Sequence, residues 1–235
     1  MTSGISIIIP AVDEAAIIQK TICQFKDSEN LEVIVVDGGS KDNTASMAAE
    51  VGAIVIPCPI RSRAVQLNLG ASKAKHSLLF FVHADVIVPD SYQDDIQKSV
   101  RNGYEAGCYR SGYDRYPGLM RINAYLTRFN LLSFRGGDQT LFITKKAFLE
   151  LDGFNEFYTI MEDYDLLRRL QEAKVPFELI QKDVVISTRK YDSNSWLRVQ
   201  IANGVAMFMF KRGKHPEKIK QAYKRLLNYR QENYY

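Results

Sequence analysis

The sequence predicts an α/β protein: an open, mostly parallel sheet flanked by helices, followed by a helical C-terminal extension. Three observations lead there. Short runs rich in β-branched residues alternate with helical segments through the first half of the chain. Each run is almost continuously apolar, the pattern of strands buried on both faces. Polar clusters rich in Asp and Gly fall directly after the runs, on the side where a parallel sheet collects ligands.

The elements follow in order. Residues 5–9, Ile-Ser-Ile-Ile-Ile, form the opening strand. Asp13 is placed to cap a helix carrying Ile17, Ile18, Ile22 and Phe25. The second strand covers 32–36 and ends at Asp37-Gly38-Gly39, and a helix over 42–51 starts from Asp42 as its cap. A third strand is expected over 53–56, a helix over 64–75 and a fourth strand over 78–82. Such alternation implies right-handed βαβ units. The second half is less regular. It reads as a strand near 106–109, a helix over 118–130, a polar loop over 133–139, a strand over 141–144, a helix over 145–151 and another from about Glu162. Residues 193–212 read as a strongly apolar helix and 216–229 as a basic one.

Composition narrows the classes. With 235 residues there is room for one substantial domain with a small appendage. A hydrophobic content of 46% beside 25% charged residues excludes a disordered chain. The net charge of +4 is small, and only the tail over 211–230 is clearly basic, so nucleic acid is not an expected partner. Cys23, Cys58 and Cys108 are odd in number and far apart, which implies neither a disulfide framework nor a CxxC metal site. A reducing, cytoplasmic compartment fits. No basic segment precedes the apolar run at 5–9, so that run reads as a buried strand and not a signal peptide. No apolar run reaches the length of a spanning helix.

Four polar clusters carry the chemistry: 10–14 (Pro-Ala-Val-Asp-Glu), 36–44 (Val-Asp-Gly-Gly-Ser-Lys-Asp-Asn-Thr), 82–85 (Val-His-Ala-Asp), and 136–139 (Gly-Gly-Asp-Gln) with 161–165 (Met-Glu-Asp-Tyr-Asp). A carboxylate after a strand commonly serves as a cap or turn residue. Asp37 stands out because two glycines follow it and let the backbone approach a ligand. In this order the clusters resemble the family 2 glycosyltransferases, which have the GT-A fold, over roughly residues 5–190. Residues 63–70 and 79–85 look like a bacterial subgroup that includes arsenosugar-biosynthesis-type enzymes.

The resemblance implies a catalytic domain over 1–190, with 191–235 packed on it or on a partner subunit. It implies an inverting transferase that uses a nucleotide-sugar donor, a UDP-sugar being favoured. Pro10, Asp13, Glu14, Asp37, Gly38, Arg63 and Asp85 would border the nucleotide. Gly137, Asp138 and Gln139 would meet the acceptor or the donor sugar. Asp163, paired with Glu162, would be the catalytic base. Asp85 would bind Mg²⁺ or Mn²⁺ bridging the diphosphate, with His83 as a second ligand. The family's Asp-x-Asp element is altered here, since His83 replaces its first acid. The Gln-x-x-Arg-Trp element of processive synthases is absent, which favours single addition.

The acceptor would be a small molecule or a lipid. The apolar segment at 196–210 could pack within the chain or form a homodimer. The basic residues from Lys211 onward would allow peripheral contact with the inner face of a membrane. A sugar-phosphate nucleotidyltransferase would need a glycine-rich N-terminal loop, which 10–14 does not supply. A non-catalytic nucleotide-sugar sensor would keep Asp37 and have no need of Asp163.

Overall fold

The computed structural model describes residues 4–25, 30–129 and 140–227. Its strands are β1 (Ile5–Ala11), β2 (Leu31–Asp37), β3 (Ile54–Pro57), β4 (Leu78–Phe81), β5 (Val86–Ile87), β6 (Ala106–Tyr113), β7 (Leu141–Thr144) and β8 (Phe177–Ile186). Its helices are α1 (Ile18–Cys23), α2 (Thr44–Glu50), α3 (Arg63–Lys73), α4 (Tyr92–Arg101), α5 (Met120–Leu126), α6 (Lys145–Glu150), α7 (Glu162–Glu172), α8 (Trp196–Lys211) and α9 (Pro216–Leu226). The eight strands form one sheet in the order β3-β2-β1-β4-β7-β6-β8-β5.

The first four strands form the parallel half, with β1 between β2 and β4. β7 enters antiparallel between β4 and β6, while β6 and β8 pair in parallel with a register shift at Tyr109/Arg110. One apolar layer gathers Ile7, Ile9, Phe80, Tyr109 and Phe142 on one side of the sheet. A second layer on the other side joins Ile8, Val36, Leu79 and Ile143 to α3, α6 and α7. β1 is buried along its whole length, which explains its unbroken apolar run. Pro10 lies beyond the last β1–β4 pair, Ile8↔Phe81, where a residue lacking an N–H forfeits no ladder bond on that side.

Four expectations need correction. The N-cap of α2 is Asn43 and not Asp42. Asp13 does not cap α1, whose N-cap is Ile17. The third strand is not buried on both faces: β3 is the sheet edge and Ile54 is half exposed. α4 and β8 carry no expectation from the sequence, although β8 holds the far half of the sheet together. The helix over 118–130 is shorter, with α5 ending at Leu126. The polar loop over 133–139 lies outside the described residues.

Candidate active site

The parallel strands β1, β2 and β4 end at one edge, and the polar clusters meet there. The backbone after β1 turns at Asp13, which has a left-handed φ of 54°. Such a conformation is uncommon for a residue with a Cβ and is held here by its contacts. The Asp13 carboxylate accepts from Lys41 N at 2.7 Å and from Arg61 Nη2 at 2.9 Å. Its own N–H donates to Ser40 Oγ at 2.9 Å. Asp37 in turn accepts from the Ser40 backbone N and hydroxyl. Asp42 accepts from Thr44 and from Ala15 N. Partial burial pushes the Asp42 carboxyl up, but these hydrogen bonds together outweigh it and hold the group below its ordinary range. The loops after β1 and β2 are thus sewn to each other by side chains.

Gly38 was expected to admit a ligand. A Cβ there would lie 2.7 Å from Val12 Cγ2 and 2.9 Å from Gln66 Nε2, so the space beside it is filled by the protein itself. Buried Gln66 donates to the carbonyls of Ala11 and Val36, locking the same turn from below. Gly39 has a φ of 83° and open space where a Cβ would stand. Pro10 is buried within β1 opposite Val36 and presents no side chain at the edge.

A cation bridges the next two carboxylates. Arg189 follows β8 and donates through Nη1 to Glu14 Oε2 at 2.7 Å and through Nη2 to Glu14 Oε1. Its Nε lies 3.5 Å from Asp85 Oδ2. Arg189 carries little signal in the sequence, where it stands beside Lys190 without a recognisable motif. The Glu14 backbone N donates to Thr44 Oγ1 at 2.8 Å, which ties this arrangement to the loop after β2.

Beyond β4 a pocket opens, lined among others by Arg63, Phe81, His83, Cys108, Thr140, Glu162 and Asp163. Glu162 is buried and pairs with Arg63 Nη1 at 3.2 Å. Asp163 is half-buried and accepts from Tyr164 N at 2.8 Å. Both acids open α7, where the helix dipole favours negative charge. Their N-cap, Met161, has a φ of 72°. Two of the four left-handed residues other than glycine, Asp152 and Lys174, directly follow the C-caps of α6 and α7, a common place for that conformation. The other two, Asp13 and Met161, stand at this edge. The Thr140 hydroxyl lines the pocket and is buried without a hydrogen-bond partner among the described residues. Gly137, Asp138 and Gln139 lie outside the described residues.

Among the described residues no group of three or more His, Cys, Asp or Glu side chains is placed to hold a metal ion. Asp85 offers one partly exposed carboxylate near the pocket wall that His83 helps to form. That donor set fits a divalent cation taking most of its oxygens from a bound diphosphate and water, a common arrangement for Mg²⁺. It does not fit an all-protein cage.

Comparisons with known proteins bear on the family and the fold. Residues 6–148 match the family described as Glycosyl transferase family 2. A 4,4'-diaponeurosporenoate glycosyltransferase from Staphylococcus haemolyticus is 26% identical over 217 residues, covering 82% of this chain. The chain spans 58% of the length of that relative. Among solved structures, a mannosyltransferase from Pyrobaculum calidifontis in complex with GDP-Man and Mn²⁺ superposes with a TM-score of 0.68 at 20% identity. That match covers 96% of this chain and 70% of the other. Glucosyl-3-phosphoglycerate synthase from Mycobacterium tuberculosis, solved with Mn²⁺, UDP and glucosyl-3-phosphoglycerate, has a TM-score of 0.61 at 18% identity, covering 90% and 81%.

Proposed function

The chain belongs to glycosyl transferase family 2, and from that membership we propose that it moves a glycosyl group from a nucleoside-diphosphate sugar to an acceptor hydroxyl with inversion. The observation that carries this reading is the Asp163 carboxylate, half-buried at the head of α7 and lining the pocket beside His83 and Arg63. In the proposed reaction the acceptor oxygen attacks the anomeric carbon opposite the leaving group. Asp163 takes the hydroxyl proton as the new C–O bond forms. The bond from the anomeric carbon to the diphosphate oxygen breaks, and the nucleoside diphosphate departs with that electron pair.

Glu162 does not compete for the proton, because it is buried and held by Arg63. It positions that guanidinium at the pocket wall. Asp13, Glu14 and Asp37 border the nucleotide in this reading, with a UDP-sugar as the favoured donor. Arg189 is the cation nearest Asp85 and Glu14 and is set to meet diphosphate charge. Mg²⁺ or Mn²⁺, when bound, neutralises charge on the departing diphosphate. Asp85, with His83 beside it, would hold that ion, in keeping with the Mn²⁺ complexes of the two similar structures.

The test is single-residue kinetics. A panel of UDP- and GDP-sugars is incubated with the protein and Mn²⁺, and nucleoside diphosphate release is followed. Asp163→Asn should keep donor affinity by calorimetry and lower turnover by about two to four orders of magnitude, the range for a lost general base. Unchanged turnover would remove Asp163 from the mechanism. Donor binding with no turnover in the wild-type protein under any condition would favour a sensor.

A further inference from the structure

Among the described residues, helices α5 and α8 leave an apolar face without a partner. Leu119, Ile122 and Tyr125 on or beside α5, and Leu197, Ile201 and Phe208 on α8, are each between 48 and 60% exposed. They form one surface. A Cβ on Gly118 would lie 3.0 Å from Trp196 Cβ, and Asn123 bonds both Trp196 Nε1 and the Gln200 side chain. These contacts set the first turns of α8 against α5, and Leu197, Ile201 and Phe208, spaced four and seven residues apart, share one side of α8.

The charge on the two helices themselves has one sign, while just before them Asp192 pairs with Arg115. Residues 116–129 contain Arg121 and Arg128 and no Asp or Glu. Residues 195–216 contain Arg198, Lys211, Arg212 and Lys214, again with no acid. The Arg128 guanidinium lies 5.9 Å from the Tyr125 ring centroid and that of Arg212 4.9 Å from Phe208. Cations paired with exposed aromatic rings suit a boundary where acyl chains meet charged headgroups. Self-association through the face would bring these cations against their own copies, which disfavours a second chain as the occupant.

We propose that the α5–α8 face docks on an anionic lipid bilayer, with its apolar residues entering the headgroup boundary and its arginines and lysines meeting lipid phosphates. Among the described residues no helix is long and apolar enough to cross a membrane, so the contact lies on the surface. α8 also reaches the proposed catalytic centre, since Phe210 and Ala206 pack with Met161, the residue before Glu162 and Asp163. Ala206 and Phe210 lie across α8 from Phe208, so docking sets the α7 N-terminus behind α8, one helix diameter (about 10 Å) from the surface, within reach of an amphiphilic, membrane-resident acceptor. That last step alone rests on the proposed glycosyl transfer.

Sedimentation with vesicles tests the docking without any catalytic readout. The full chain should bind phosphatidylcholine vesicles containing about one third phosphatidylglycerol and ignore pure phosphatidylcholine. Binding should weaken several-fold as salt rises from about 0.1 to 0.5 M, because exposed charges are screened. Ile201→Ser with Phe208→Ser should weaken it about ten-fold or more, with thermal unfolding as the control for folding. If that variant unfolds, Arg128→Glu with Arg212→Glu must abolish binding instead. A protein that ignores anionic vesicles overturns the proposal. So does one whose light scattering shows a dimer dispersed by Ile201→Ser and Phe208→Ser, since the face is then covered by a second copy. Vesicle binding without glycosyl transfer would leave the docking standing and sink only the enzymatic reading.

Discussion

Arg189 ties together two of the loops that meet at the sheet edge. Its guanidinium faces two carboxylates that belong to different loops, Glu14 after β1 and Asp85 after β4. Replacing it by Gln leaves those acids with less compensation where a diphosphate is proposed to bind. Nucleoside diphosphate affinity should fall by about 1–3 kcal/mol, the scale of a lost charge-assisted contact. The same variant should bind UDP with a steeper dependence on Mn²⁺, because Asp85 loses its neighbouring cation. Calorimetry with UDP, with and without Mn²⁺, reads both effects. Equal affinity of both proteins would show that Arg189 is only a brace between loops. The carboxylates themselves were legible in the sequence, because acids directly after apolar runs mark a sheet edge. Arg189 was not, because its importance comes from residues 104 and 175 positions away.

At the scale of elements, α7 carries the proposed base and its own anchor. Asp165 is 1% exposed and receives Arg168 Nη2 at 2.8 Å and Arg169 Nε at 2.7 Å. Arg169 also donates to the carbonyls of Leu151 and Gly153, fastening α7 to the turn after α6. Asp165→Ala would leave both arginines without that carboxylate and should cost about 3 kcal/mol in unfolding free energy, the lower end for breaking a buried pair. Urea denaturation measures it. A loss below about 1 kcal/mol would mean that the arginines find water or other acids instead. The sequence showed an acidic helix start at 162–165 without saying which acid is structural. Depth separates them: Asp165 faces inward, while Asp163 remains at the pocket.

Across the whole molecule, the loops of the parallel half converge while the opposite ends of its strands are closed by packing. His76 sits at that opposite end, before β4. Its backbone N–H donates to Ser6 Oγ, and its ring Nε2 is buried with no hydrogen-bond partner among the described residues. Burial lowers the pKa of His76 from the ordinary 6.5, and the nearby Glu32 offsets this only in part. The unfolded chain therefore takes up this proton before the folded one does. The contribution to stability is complete above pH 6.5 and declines as pH falls below 6.5 toward the folded-state value. Denaturant midpoints at about pH 7.5 and 5.5 should differ less in His76→Gln than in the wild type. An identical pH response in both would assign the effect elsewhere.

The sequence by itself determined the parallel half of the sheet and the edge at which chemistry gathers. Both depend on short-range signals: apolar runs of strand length, and turn residues immediately after them. Only the tertiary structure decided what those residues do to one another. It turned Asp13 from a helix cap into the partner of Arg61 and Lys41, because the chain after β1 folds against the loop after β2. It filled the space beside Gly38 with Val12 and Gln66. It supplied β8, whose residues alternate too little to announce a strand, and α4, whose Tyr92, Ile96 and Val100 at helical spacing are legible in the sequence. It also separated the covered side of α8 from the exposed side, which no helical period can assign to core or surface when apolar residues face every way around the helix.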